Sequence, residues 1–177
     1  MIILNTYEKT LEISNIYMGK VINLDIETVL LPNNKKAKRE IVRHPGAVAI
    51  LPLNDKGEIY FVKQYRKAVD MELLEIPAGK IENDEEPENC ALRELQEEIG
   101  FTANKLTFIG EFYTSPGFAN EKIFIYKAEG LTQSRLAMDE DEFINMVKYS
   151  KRDALKMIKK GMIKDAKTVL ALSLGID

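Results

Sequence analysis

The chain of 177 residues contains no tryptophan, one cysteine and one histidine. Each scarcity closes off a class of chemistry. A lone Cys90 excludes an intrachain disulfide and fits a reducing compartment, and on an apolar helix stripe it reads as packing. A lone His44 excludes a histidine-rich zinc site, and without an identifiable Ser or Cys partner it builds no nucleophilic triad; it reads as a structural or rim residue. Positive charge is not in excess: 25 Lys and Arg against 28 Asp and Glu give a net charge of −3, which offers no global basic patch for nucleic acid. The longest uncharged apolar runs, near 45–53 and 168–176, are about half the length needed to cross a bilayer. The opening MIILNTYEK has neither a basic region nor a long apolar core, so it does not read as a signal peptide. The expectation is a cytoplasmic protein with neither a membrane nor a nucleic-acid partner.

What is present is ordinary for a globular protein, 45% hydrophobic and 30% charged residues, enough for one well-buried domain with an appendage. Residues 20–31 and 37–44 alternate as strands do around the turn PNNK, and a further strand is expected near 13–18. Residues 1–44 are therefore assigned to an N-terminal strand and hairpin extension and 45–177 to the main domain. There, strands are expected at 46–54, 58–66, 105–115, 121–131 and 143–149, with a short strand before a Pro77-Ala78-Gly79 loop. Two amphipathic helices separated near Gly161 close the chain. Strands on either side of a central helix predict an α/β (α+β) fold: a mixed β-sheet sandwiched between helices, preceded by an antiparallel β-hairpin.

The central helix poses an electrostatic question. Pro87 suits a first helical position and Gly100 suits the left-handed residue that closes a helix, so a helix over about 87–99 is predicted. Ala91, Leu92, Leu95 and Ile99 form its apolar stripe. On such a helix Glu94, Glu97 and Glu98 share one face within an arc of roughly 100°, beside the buried stripe, with only Arg93 as a close cation. An acidic run is in most proteins a solvated face. Here the following turn offers Ile99, Phe101 and Thr102 instead of basic partners, and a divalent cation is the natural counterion. Oxygen-only ligands suit a hard ion, Mg²⁺ or Mn²⁺.

From Gly79 through Glu85 to Arg93-Glu94-Leu95-Gln96-Glu97-Glu98-Ile99-Gly100-Phe101 the sequence resembles the Nudix box, G-x5-E-x7-R-E-U-x-E-E-x-G-U. Every fixed residue is present, and the one loose fit is Phe101 at an aliphatic position. The resemblance implies a Nudix fold whose box binds divalent cations for attack of water on a nucleoside diphosphate linked to another moiety. By position it implies Glu94, Glu97 and Glu98 as metal ligands, with the Ala78 carbonyl as a further ligand. Arg93 and Glu85 become the partners that hold the box in its catalytic shape. Pyrophosphate hydrolysis fits this chemistry, because cations neutralise two phosphates and lower the pKa of the attacking water.

Outside the box the chain is similar to the ADP-ribose pyrophosphatase branch. Pro116 follows the box by the branch's spacing, and Gln64-Tyr65-Arg66, the run 75–79 and GMIKDAKTVLAL also look like it. The acidic segment Asp139–Glu142 resembles the loop that brings a glutamate to the metals, Glu142 in the first place and Glu140 in the second. Arg66, then Arg43, are the candidates for phosphate contact, although either can also be a surface ion pair. Glu121 is placed on a ribose or on its own loop. Some relatives clamp adenine between tryptophans; this chain has none, and Tyr17 stands as the candidate for stacking. The reading implied is Mg²⁺-dependent hydrolysis of ADP-ribose or a related nucleoside diphosphate sugar to AMP and a sugar phosphate. Rival readings are a Nudix enzyme for GDP-mannose or a dinucleoside polyphosphate, a non-catalytic module that senses a nucleotide sugar, and a structural protein with a stabilising cation. The branch also implies a homodimer through the N-terminal strands, whose exposed edges invite pairing.

Overall fold

The computed structural model describes residues 5–138 and 143–176. They fall into two compact units, one of the chain up to Gly46 with Tyr113–Lys122, the other of Ala47–Phe112 with the chain from Ile123 onward.

In the first unit β1 (Lys9–Met18), β2 (Asn23–Leu30) and β3 (Lys36–Arg43) form an antiparallel sheet in that order. The hairpin turn places Asn34 at φ 64°, a left-handed conformation that asparagine tolerates better than most residues. β2 and β3 run in unbroken register, whereas β1 slips twice and is exposed along its whole length. The inward face of β2 carries Asp25, Glu27 and Val29. Its two acids share Arg43, which bonds Asp25 at 2.9 Å and pairs with Glu27. Residues 113–122 lie along the end of β3, with the Val42 N–H donating to the Phe118 carbonyl at 2.8 Å.

In the second unit β4 (Ala47–Pro52), β7 (Ala78–Lys80), β8 (Phe101–Tyr113) and β9 (Lys122–Gln133) make a mixed sheet ordered β7-β4-β9-β8, in which β4 and β9 are parallel. A second, antiparallel sheet is ordered β10-β5-β6 from β5 (Glu58–Arg66), β6 (Met71–Glu75) and β10 (Ile144–Ser150). Helices α1 (Pro87–Glu94), α2 (Lys151–Lys159) and α3 (Ala166–Leu174) complete the unit. The near-continuous apolar run of β4 has a simple cause, since it is covered on both faces. Val48 and Ile50 pack with Ala91, Leu95 and Ile99 on one side, and Ala49 and Leu51 with Ala171 and Leu172 on the other. This is the mixed sheet between helices that the sequence predicts. Each fully buried Leu or Ile here contributes about 2 kcal/mol of apolar burial. Among the described residues no helix is long and apolar enough to cross a membrane.

Two expectations need correction. Ala78 and Gly79 are not in a loop but begin the edge strand β7, because Ala47–Ala49 supply them with a partner. The predicted helix 87–99 is α-helical only to Glu94, and Leu95–Ile99 form a π-helical turn.

Candidate active site

The π-turn has an identifiable cause. In an α-helix the Gly100 N–H would bond the Gln96 carbonyl; here it reaches back to Leu95. The Gln96 carbonyl accepts instead from the Leu136 N–H at 3.2 Å, and the Gln96 side chain donates to Ser134 at 2.6 Å. The segment that follows β9 thus replaces one rung of the helix. Gly100 then ends the turn at φ 76°, ψ 28°, the left-handed conformation expected of it.

Arg93 supplies the compensation that the acidic face requires. Its guanidinium forks onto Glu85 at 2.8 and 3.0 Å, and its Nη1 donates to Glu94 at 2.7 Å and to Glu97 at 2.8 Å. The hydrogen bonds from Arg93 pull Glu85 down to about 2 despite the opposing effect of burial, and they raise the Arg93 pKa in return. Glu94 and Glu98 are buried and Glu97 is half-buried, which places all three at the edge of the core. Glu98 is held from the other side, by the Ala78 N–H at 3.0 Å.

Gly79 is required by closeness of approach, not by its backbone angle: a Cβ there would fall on the Glu94 carboxylate. The Ala78 carbonyl is also suitably turned. The Ile50 N–H donates to Pro77 at 2.8 Å, so Pro77 and Gly79 face β4. Ala78 faces away from it, and its carbonyl points to the side on which its N–H meets Glu98. The donor set is therefore all oxygen, three carboxylates and one carbonyl, and it suits a hard divalent cation. Among the described residues no three acidic, His or Cys side chains are already gathered round one point.

Arg66 lies on the same face of the β5–β6 pair. It is bound bidentately to Glu75 at 2.8 and 2.8 Å, and nearby Glu98 and Asp165 help to raise its pKa. Gln64 points to that face too, and its buried Oε1 has no hydrogen-bond partner among the described residues. Cys90 is buried against the box, with its thiol pushed up chiefly by burial, and it serves packing.

The other predicted residues fall elsewhere. Arg43, Pro116, Glu121 and Tyr17 belong to the first unit. There Arg43 is committed to Asp25 and Glu27, and Glu121 accepts from Thr114 at 2.6 Å within its own loop. Pro116 occupies the turn closed by Ala119 N–H to Ser115 at 2.9 Å, and Tyr17 is exposed on β1. Glu140 and Glu142 lie outside the described residues. Sequence reasoning missed Glu75, buried at the end of β6, and Lys167 and Thr168 at the start of α3. The signal was an acid at an inward strand position.

A family model for the NUDIX domain matches residues 42–172. The chain is 52% identical over 167 residues to an ADP-ribose pyrophosphatase of Bacillus subtilis, covering 93% of this chain and 90% of the relative. It is 45% identical over 167 residues to a methanol dehydrogenase activator of Bacillus methanolicus, with the same coverage of 93% and 90%. The crystal structure of an ADP compounds hydrolase superposes with a TM-score of 0.87 at 23% identity, covering 99% of this chain and 95% of that one, a likeness of fold.

Proposed function

The chain belongs to the NUDIX domain family, and from that premise we propose that it hydrolyses the diphosphate bond of ADP-ribose or a related nucleoside diphosphate sugar, giving AMP and a sugar phosphate. The observation that carries the reading is the Glu94, Glu97, Glu98 and Ala78 oxygen set, held by Arg93 and Glu85 around a glycine that leaves Glu94 room. The relative at 52% identity supports the substrate class.

The cation is read as Mg²⁺, with Mn²⁺ as the alternative, held by Glu94, Glu97, Glu98 and the Ala78 carbonyl. When bound, such an ion neutralises diphosphate charge and makes water a better nucleophile. The chain's own residues do the rest. Arg93 and Glu85 keep the box in register, and Arg66 offers the guanidinium edge not used by Glu75 to a phosphate oxygen. Water oxygen bonds to one phosphorus as the bridging P–O bond breaks, and the water proton passes to a carboxylate, that of Glu142 or Glu140. Support for this base comes from the flanks of 139–142: Leu136 is tied to the Gln96 carbonyl, and Ile144 pairs with Gln64. Arg43 is retained as the second candidate for phosphate contact, and Glu121, Pro116 and Tyr17 as candidates on the nucleoside and sugar side.

The protein is proposed to work in the cytoplasm as a homodimer, with residues 1–44 as the pairing segment. Leu11, Ile13, Tyr17 and Met18 are exposed on a strand with an open edge, which supports this. A second reading, a module that senses a nucleotide sugar, is favoured by the relative at 45% identity that is named for activating another enzyme. A panel of nucleoside diphosphate derivatives with Mg²⁺ in ¹⁸O-labelled water separates the two. Turnover, with label in one product, is expected for an ADP-sugar; no turnover of any member would replace hydrolysis with sensing.

A further inference from the structure

The fold buries a charged group that the reaction as described does not use. Glu75 is 1% exposed, yet it is shared by two cations, the Arg66 fork and the ammonium of Lys167. Burial opposes its ionisation, but the hydrogen bonds from Arg66 and the charge of Lys167 outweigh burial and hold its pKa below the ordinary value. Lys167 is in turn bound to Asp165 at 3.0 Å. Asp165 caps α3 by accepting the Thr168 N–H at 3.0 Å, and the Thr168 hydroxyl accepts the Ile76 N–H at 2.9 Å. Hence one turn of α3 grips both the acid that orients Arg66 and the peptide that leads into Pro77 and Ala78.

The count of charges decides what this turn does. Glu75 and Asp165 carry two negative charges, Arg66 and Lys167 two positive ones, so these four side chains sum to zero, and the nearby Glu98 adds a charge that the substitutions below leave unchanged. Without Lys167, Glu75 would take the whole of Arg66's charge and Asp165 would be left uncompensated beside it. An anion would then meet a net negative group. We propose that Lys167 and Asp165 are positioning residues that set, through Glu75, how strongly Arg66 attracts a diphosphate. The inference rests on the reading of Arg66 as a phosphate contact and deepens it: the electrostatic strength of that contact is tuned from α3, far along the chain.

The test is the dissociation constant of inorganic pyrophosphate by calorimetry at one fixed Mg²⁺ concentration, together with melting temperature. Lys167→Met is expected to weaken binding about tenfold, and Lys167→Arg to restore it to within about threefold of the wild type. Asp165→Asn keeps a good cap, because asparagine caps as well as aspartate, but it makes the group net positive, and it is expected to tighten binding by about threefold. A merely structural role predicts losses of melting temperature with no such opposite pair of shifts. Equal binding by the wild type, Lys167→Met and Asp165→Asn overturns the inference, and so does a wild type that binds no pyrophosphate. Should Lys167→Met fail to fold, the sign of the Asp165→Asn shift decides alone. A wild type that binds pyrophosphate with these shifts but cleaves no nucleotide sugar sustains the inference and removes only the proposed reaction.

Discussion

Replacing Arg93 by Gln removes a cation that Glu85, Glu94 and Glu97 share, and the size of the loss follows from Glu85. That carboxylate stands at about 2 in the folded chain against an ordinary 4.5, an effect due first to its hydrogen bonds from Arg93. At about 1.4 kcal/mol for each pH unit, the difference is worth about 3 kcal/mol at neutral pH. The Arg93 and Glu85 side chains are 25% and 15% exposed, so solvent screening reduces this to about 2 kcal/mol. The sign is that of a depressed acid: the stabilisation is complete above pH 4.5 and is lost as the pH falls towards 2. Urea denaturation of the wild type, Arg93→Gln and Glu85→Gln between pH 3 and 7 should therefore show a deficit of about 2 kcal/mol in either variant at pH 7, shrinking below pH 4.5. The double variant should lose less than the sum of the two, since the partners share one interaction. A deficit that is independent of pH, or under about 0.5 kcal/mol, would refute the account of Arg93 as the clamp of the box.

Three further outcomes are expected. Glu98→Gln should lower turnover by about a hundredfold or more, the scale for a lost metal ligand, while melting no lower than the wild type in chelator and gaining less from added Mg²⁺; a variant destabilised in chelator but normally active would assign Glu98 to the fold. Gly79→Ala should displace the Glu94 carboxylate, cost about 1–3 kcal/mol and weaken Mn²⁺ binding measured by paramagnetic resonance; unchanged Mn²⁺ affinity would contradict the close approach. Deleting residues 1–40 should leave a monomer or an insoluble protein of poor activity, and light scattering that shows a wild-type monomer at micromolar concentration would count against pairing through β1.

The box was legible because its chemistry is local. Gly79, Glu85, Arg93 and the three glutamates lie within one strand, turn and helix, and their spacing alone brings Arg93 within reach of Glu94 and Glu97. The strands were legible from alternation, and the doubly covered β4 from its unbroken apolar run. What could not be read depends on partners remote in sequence. The π-turn exists because Leu136 takes the Gln96 carbonyl, and no property of Leu95–Ile99 alone distinguishes that outcome from an α-helical bond from the Gly100 N–H to Gln96. From sequence Arg66 could be a phosphate contact or an ion pair, and its partner could not be named, because the register Val62↔Glu75 turns Glu75 towards it and α3 brings Lys167 to the same acid.

The opening problem of three acids and one cation thus has a two-stage answer. If Glu94, Glu97 and Glu98 receive a divalent ion, as proposed, they repel one another before it arrives, and repulsion favours conformers in which they point apart. Arg93 removes that difficulty by holding Glu94 and Glu97 together, while its fork on Glu85 fixes where it can stand. The π-turn, stitched to Leu136, and the Ala78 N–H do the same for Glu98. Under the proposed metal role, an incoming cation would meet carboxylates that are already ordered, with no separate collapse of a disordered acidic face. On the proposed reading, rearrangement within an already ordered box costs less ordering entropy than assembly from free side chains, and the box would exchange an internal cation for an external one.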